Sequence, residues 1–277
     1  MATPAEDRLA DGDLDGALAA LSEAVRKAPR DARLRVFLFQ LLCLRREWRR
    51  ALVQLKTCAT LDPQAETMAR AYREAIACEL WREAVFAGAK TPATRGEPPP
   101  WLEWLVEALA LEAAGDPAAA DALRARAFAA APVSPGQLDG APLAWIADAD
   151  PRLGPVLEVV VDGRYLWAPF AAIGALRIAP PADLRDRVWT PATLTWAEGG
   201  ESVGLIPTRY APAPALDLGE AAPAPEHLLA AATGWRMQGE RVVAGPGQRI
   251  LVTDAAEVAL MDLRALSLDA REALAHG

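Results

Sequence analysis

The chain has 277 residues, 52% apolar and 24% charged, with 29 Lys/Arg against 37 Asp/Glu for a net charge of −8. That composition describes a globular chain long enough for one large or two modest domains with a real core. Only two histidines and three cysteines occur, which leaves a His-based metal site or a Ser-His-Asp relay little to work with. The acidic balance argues against nucleic acid as a partner.

The charge is unevenly placed. Residues 1–131 hold 18 basic and 19 acidic residues, whereas residues 132–277 hold 11 and 18. The pattern changes at the same point. The first part has helical period and the second has short alternating segments punctuated by Gly and Pro.

In the first part, Gly12-Asp13-Leu14, Ala17-Leu18, Leu21 and Pro29 recur 34 residues later as Arg46-Glu47-Trp48, Ala51-Leu52, Leu55 and Pro63. A third copy is expected from Glu79, with Trp81-Arg82 and Ala84-Val85, and a degraded fourth from Gly115 through Ala120 to Pro132. This spacing, with a small residue in the first helix and a closing Pro, is that of tetratricopeptide (TPR) repeats. Each helix pair of such a repeat buries its stripe against the next. Trp48, Trp81, Phe37, Phe39, Leu41 and Leu42 are expected to be packing residues, and the stack to offer a groove for a peptide. Cys43, Cys58 and Cys78 contain no C-x-x-C pair and read as reduced core thiols, as in the cytoplasm. The N-terminus lacks the apolar stretch of a signal peptide, and the longest apolar run, Val36 to Leu44, is about half of what a bilayer crossing requires.

A Pro-rich break over residues 92–100 precedes a helix expected at Trp101–Ala114. The domain boundaries follow: a TPR-like helical domain over residues 1–133, a linker over 134–142 and a C-terminal domain over 143–277. In that last part Val156–Val161, Asp162-Gly163 and Arg164–Trp167 specify a hairpin with a type I′ turn, because both turn positions need positive φ. Further strands are expected at Ile173–Ile178, Thr193–Trp196, Ser202–Ile206, Arg249–Thr253 and Val258–Leu263. A helical turn is expected at Asp183–Asp186, a hairpin at Gly199-Gly200 and a surface excursion over 211–225. Short connections favour antiparallel pairing. The fold class is therefore α+β, with a helical-repeat N-terminal domain and a small, mostly antiparallel C-terminal one.

No phosphate loop, nucleophile elbow or H-E-x-x-H pair is present, and Gly245-Pro246-Gly247 reads as a strand-entry turn. The carboxylates Asp148, Asp150, Glu158, Asp162, Asp183 and Asp186 could hold a metal or run hydrolysis. Arg152, Arg164, Arg185 and Arg187 interleave with them, which favours Arg–carboxylate pairs. Of nine tryptophans, Trp145, Trp167, Trp189, Trp196 and Trp235 fall in the second part. Most are expected in the core, with one or two free for an interface.

Several strings resemble the ImpE/TagJ family of type VI secretion accessory proteins. They include Trp145-Ile146-Ala147-Asp148-Ala149-Asp150, Arg152-Leu153-Gly154-Pro155-Val156-Leu157-Glu158, Gly163-Arg164-Tyr165, Asp183-Leu184-Arg185-Asp186 and Val203-Gly204-Leu205-Ile206-Pro207-Thr208-Arg209-Tyr210. Gly247-Gln248-Arg249 and, in the first part, Arg33 to Leu42 fit as well. Leu166 and Glu198 depart from the pattern, as does the stretch 211–246. The resemblance implies a cytoplasmic adaptor without cofactor or enzymatic activity. It implies binding of the N-terminal helix of the small contractile-sheath subunit (TssB/VipA type), with an indirect link to the ClpV ATPase in sheath recycling. Two docking faces are expected: Arg33, Phe37 and Gln40 on the repeats, or Arg152, Tyr165, Trp167 and Arg209 on the second domain. A metal-dependent hydrolase and a dimeric scaffold are the alternatives. No membrane insertion is expected.

Overall fold

A computed structural model describes residues 3–212, 223–238 and 241–269. The chain opens with seven helices: α1 (Pro4–Ala10), α2 (Leu14–Lys27), α3 (Ala32–Leu44), α4 (Trp48–Leu61), α5 (Glu66–Phe86), α6 (Pro100–Ala113) and α7 (Pro117–Ala130). Most begin at a side-chain cap. Thr3 forms a capping box with Glu6, and Asp13, Asp31 and Asp116 accept from backbone N–H groups one turn on. Such caps satisfy donors that the first helical turn leaves free.

The repeat is visible in the packing. Leu14, Ala17 and Leu21 are buried on α2, and Trp48, Ala51 and Leu55 occupy the same positions on α4. Gly12, Arg46 and Gly115 all have positive φ (77°, 58° and 84°), and each stands five residues before a fully buried alanine: Ala17, Ala51 and Ala120. The expected third copy is different. Trp81 lies near the end of the 21-residue helix α5, is 45% exposed, and does not open a helix. Residues 79–81 contain neither a cap nor a breaker, so the helix runs through them. Trp81 instead packs its ring under Lys90 and donates its indole N–H to the Thr91 carbonyl.

Among the described residues, the rest of the chain forms three antiparallel sheets. The largest has eight strands: β1 (Gly136–Leu138), β2 (Ala141–Leu143), β4 (Val156–Val161), β5 (Arg164–Pro169), β6 (Ile173–Ile178), β7 (Trp189–Trp196), β8 (Glu201–Pro207) and β13 (Ala265–Leu268), in the order β2-β1-β13-β6-β7-β8-β4-β5. β3 (Ile146–Asp148), β11 (Ile250–Thr253) and β12 (Glu257–Ala259) form a second sheet, and β9 (Thr233–Gln238) pairs with β10 (Arg241–Gly247) as a hairpin. A four-residue helix, α8 (Pro225–Leu228), precedes β9. The architecture is α+β, as expected.

The hairpin β4–β5 turns at Asp162 and Gly163 with φ of 50° and 67°, the type I′ signature. All six residues of β4 are buried because both faces of the strand are covered. Leu157, Val159 and Val161 face the core of the sheet domain, while Val156 and Val160 pack with Leu102, Leu105 and Leu109 of α6. The helical layer and the sheet thus share one interior. Trp189 of β7 is buried among the residues of α3 and α4, its ring 6.0 Å from that of Trp48.

Several sequence expectations are corrected here. The stretch expected as a linker holds β1 and β2, which join the sheet through β13; their three-residue runs are too short to show a period. Val258–Leu263 is strand only over Glu257–Ala259 and then turns. Gly245-Pro246-Gly247 ends β10, where the register shifts by a bulge. The Pro-rich break carries a short extended piece, since Ala93 donates to the Tyr165 carbonyl and accepts from the Trp167 N–H. Asp183–Asp186 does begin a 3-10 turn, Leu184–Arg187. The excursion expected over 211–225 lies mostly outside the described residues.

Candidate functional site

Glu158 is the one charged residue of β4, and its side chain points to the helices between Val156 and Val160. It is wholly buried, and Arg82 of α5 meets it with Nε at 2.6 Å and Nη2 at 2.9 Å. Arg249, also wholly buried, bridges Glu158 to Asp148. The Tyr165 hydroxyl donates to Glu158 and accepts from the Trp167 indole N–H. Arg82 also donates to Glu79 and to the Arg209 carbonyl. Arg209 in turn donates to the carbonyls of Leu44 and Cys43, at the end of α3. Two arginines and three carboxylates thus tie α5, β3, β4 and the segment after β8 into one polar knot.

The electrostatics follow from this placement. Burial alone would push the Glu158 carboxyl up, but Arg82 and Arg249 outweigh it and hold the group at about 2. Burial pushes the Asp148 carboxyl up to about 6; Arg249 opposes the shift, and Asp150 adds to it. Asp148 shares its arginine with Glu158, so it is the less well compensated of the two. Burial also lowers Arg209 to about 9, helped by Arg46 nearby.

The seven expected contact residues divide accordingly. Tyr165 and Trp167 are buried and engaged on Glu158. Arg209 is buried and engaged on α3, and Arg152 is buried with a bidentate hold on Asp150. These four are buried and support the seam. Gln40 is buried too, donating to Asp183 at 3.0 Å. Arg33 is exposed and Phe37 half-buried on α3, so these two keep accessible surface.

Four of the six acidic residues are held as Arg–carboxylate pairs, whereas Asp186 accepts from the backbone N–H groups of Ala182 and Asp183 and Asp162 stands exposed in the β4–β5 turn. Asp150 is held by Arg152, Asp183 by Arg185, and Asp148 and Glu158 by Arg249. Among the described residues no group of three or more His, Cys, Asp or Glu is placed to hold a metal. Hydrolysis by these carboxylates would need water-accessible oxygens; those of Asp148, Asp150 and Glu158 are enclosed. Cys43, Cys58 and Cys78 are free and buried.

A groove of about 700 Å³ opens beyond Asp148, between the end of α7, the Trp145–Ala149 stretch and the β9–β10 hairpin. Phe128, Val133, Trp145, Trp235 and Val242 line it and are exposed. Gly154 makes room for its wall: with φ of 53°, a Cβ there would come within 2.4 Å of the Phe128 ring. Trp235 packs against Tyr210 at 5.4 Å, and the Tyr210 hydroxyl is tied to both the N–H and the C=O of Ile250. Trp145 and Trp235 are the two second-half tryptophans outside the core. The sequence gives no signal for Phe128, Gly154 or Arg82, because their partners lie far along the chain.

A helical layer joined to an antiparallel sheet by a buried ion-pair knot, with an open apolar groove beside the seam, defines an α+β chain whose two halves share one interior. The family described as ImpE protein matches residues 140–267. A Pseudomonas aeruginosa protein, the type VI secretion system accessory component TagJ, is 49% identical over 97% of this chain and 92% of its own length. The chain belongs to the ImpE/TagJ family. The crystal structure of VPA1032 from Vibrio parahaemolyticus is similar to it, with a TM-score of 0.86 and 25% identity over 96% of this chain and 97% of that one. Among the described residues no helix is long and apolar enough to cross a membrane.

Proposed function

We propose that the protein is a non-enzymatic accessory component of a type VI secretion system, an adaptor that binds the N-terminal helix of the small contractile-sheath subunit. The observation that carries this reading is the end-to-end 49% identity with an accessory component of such a system. The enclosed, arginine-paired carboxylates support the non-enzymatic part. In this reading α1–α7 are a TPR-like superhelix, the site of action is the cytoplasm, and any link to the ClpV ATPase runs through the sheath subunit.

Titration of the full chain with a synthetic peptide of the sheath subunit's N-terminal helix tests it. Saturable one-to-one binding in the micromolar range or tighter is the expected result, and heats no larger than dilution would overturn the reading. Arg33→Glu and Phe37→Ala in the full chain report whether the α3 face takes part.

A further inference from the structure

We propose that the groove between α7, the Trp145–Ala149 stretch and the β9–β10 hairpin binds a small organic cation, a free molecule carrying an alkylated ammonium group, with the indoles of Trp145 and Trp235 and the carboxylate of Glu257 as its recognition groups. The site makes no use of the sheath subunit, so it stands or falls apart from the adaptor reading.

Isolated exposed apolar side chains are ordinary, but several converging on one concavity mark a binding site. Phe128, Val133, Trp145, Trp235 and Val242 are exposed and line one cavity of about 700 Å³, within the range of roughly 300–1,000 Å³ that small-molecule sites occupy. The walls are preorganised. A Cβ on Gly154 would strike the Phe128 ring, and Trp235 leans on Tyr210, whose hydroxyl is tied to Ile250. A wall already fixed loses little entropy when a ligand arrives.

The aromatic faces supply the first part of the chemistry. A cation is attracted to the face of an indole by the ring's quadrupole. Elsewhere this chain meets that attraction with its own side chains. Lys90 stands over Trp81, Arg126 over Trp104, Arg95 over Trp196 and Arg249 over Tyr210, at 3.7 to 5.5 Å from the ring centroids. Among the described residues no Lys or Arg stands over Trp145 or Trp235, although both rings are exposed. The groove thus holds two indoles whose faces are open to a cation from outside the chain.

Charge and hydrogen bonding set the sign and the class. No Lys or Arg lines the groove. Asp148 is buried and engaged by Arg249, whereas Glu257 stands exposed on the wall with no ion pair among the described residues. The wall is also poor in donors. The Asp148 N–H is bonded to the Gly154 carbonyl and the Ala149 N–H to that of Ile250, while Pro132, Pro151 and Pro155 have none to offer. A carboxylate or phosphate would enter such a wall without partners for its oxygens. An alkylated ammonium needs no such partners: its charge is wrapped in an apolar shell, which indole faces and one carboxylate match.

Isothermal titration of the full chain tests the site, with choline as one probe and its neutral analogue, a tert-butyl group in place of the trimethylammonium, as the other. Saturable one-to-one binding of choline is expected, with the neutral analogue at least about tenfold weaker, the share of a desolvated cation–π contact. Equal affinity for the two would make the groove a plain apolar pocket and overturn the proposal, as would choline heats no larger than dilution. Trp145→Leu and Trp235→Leu keep apolar bulk without the indole face. Each is expected to raise the choline Kd at least about fivefold, and Glu257→Gln about threefold, less at high salt. Matching thermal midpoints show that the variants are folded. Unchanged Kd in all three puts the binding elsewhere and overturns the site. Retention on phosphatidylcholine vesicles that the same variants abolish would assign the groove to a lipid headgroup. A wild-type dimer in light scattering that they dissolve would assign it to a second copy. Either result overturns the free ligand.

Discussion

Arg82 and Glu158, 76 residues apart, form a bidentate pair that is buried on both sides, at 2.6 and 2.9 Å. One partner stands on a helix of the first half and the other on β4 of the second, one strand in from the sheet's margin, so the contact exists only when both halves are assembled. Removing one member leaves a charge without compensation in the seam. Arg82→Met or Glu158→Gln is expected to cost about 3–5 kcal/mol, read as a drop in the urea midpoint. The double variant Arg82→Met with Glu158→Gln is expected to cost less than the sum of the single changes. Additive losses would show that the two residues act independently.

The same knot gives stability a shape against pH. Glu158, held at about 2, stabilises the fold above its ordinary pKa of about 4.3, and this is lost as pH falls from there towards 2. Asp148, raised to about 6, works the other way: the folded state holds its proton more tightly, so its contribution improves as pH falls from 7 towards 4. Stability measured in urea is therefore expected to hold or rise from pH 7 to about 5 and to fall below about 4, with each limb worth about 2–3 kcal/mol. Asp148→Asn should remove the rise, and a monotonic decline from pH 7 in the wild type would contradict the assignment.

Gly154 has positive φ and would drive a Cβ into the Phe128 ring. Gly154→Ala is expected to destabilise by about 1–3 kcal/mol through backbone strain and the displaced ring. Differential scanning calorimetry reads that loss, and Gly154→Ala with Phe128→Ala, which relieves the clash but not the strain, should recover part of it.

The helical repeats make a contrasting pair. Ala51 is fully buried where α4 approaches its neighbours, so Ala51→Leu overpacks and is expected to cost about 1–3 kcal/mol. Trp81, although it sits at a repeat position by spacing, is 45% exposed. Trp81→Ala should cost less than about 1 kcal/mol, from its contact with Lys90 and its bond to Thr91. Thermal midpoints of the two variants check the ordering.

Local chemistry was legible and distant pairing was not. Asp162-Gly163 announces its hairpin because the turn needs two positive φ angles from adjacent residues. Ala17, Ala51 and Ala120 could be aligned by offset because each repeats the same close approach. Trp81 misled because the offset carried it into a helix that nothing interrupts. β1 and β2 were absorbed into a linker, since three residues show no alternation and their order comes from β13 more than a hundred residues later. Arg152, Tyr165, Trp167 and Arg209, one of the two docking faces the sequence suggests, are buried along the seam. For the last three the far side of that seam, Arg82 on α5 and the end of α3, lies in the other half of the chain. Of the groove, Trp145 and Trp235 were open candidates for an interface, whereas Phe128 and Gly154 gave no local sign.

The short extended piece at Ala93 has a consequence for how the molecule can meet others. It occupies the outer side of β5 by bonding the backbone of Tyr165 and Trp167. At the opposite margin of the eight-stranded sheet, β2 is three residues long with Pro142 at its centre. Both margins are therefore blunted against a further strand. A strand from another chain, or from a second copy of this one, therefore finds neither margin of this sheet open for pairing.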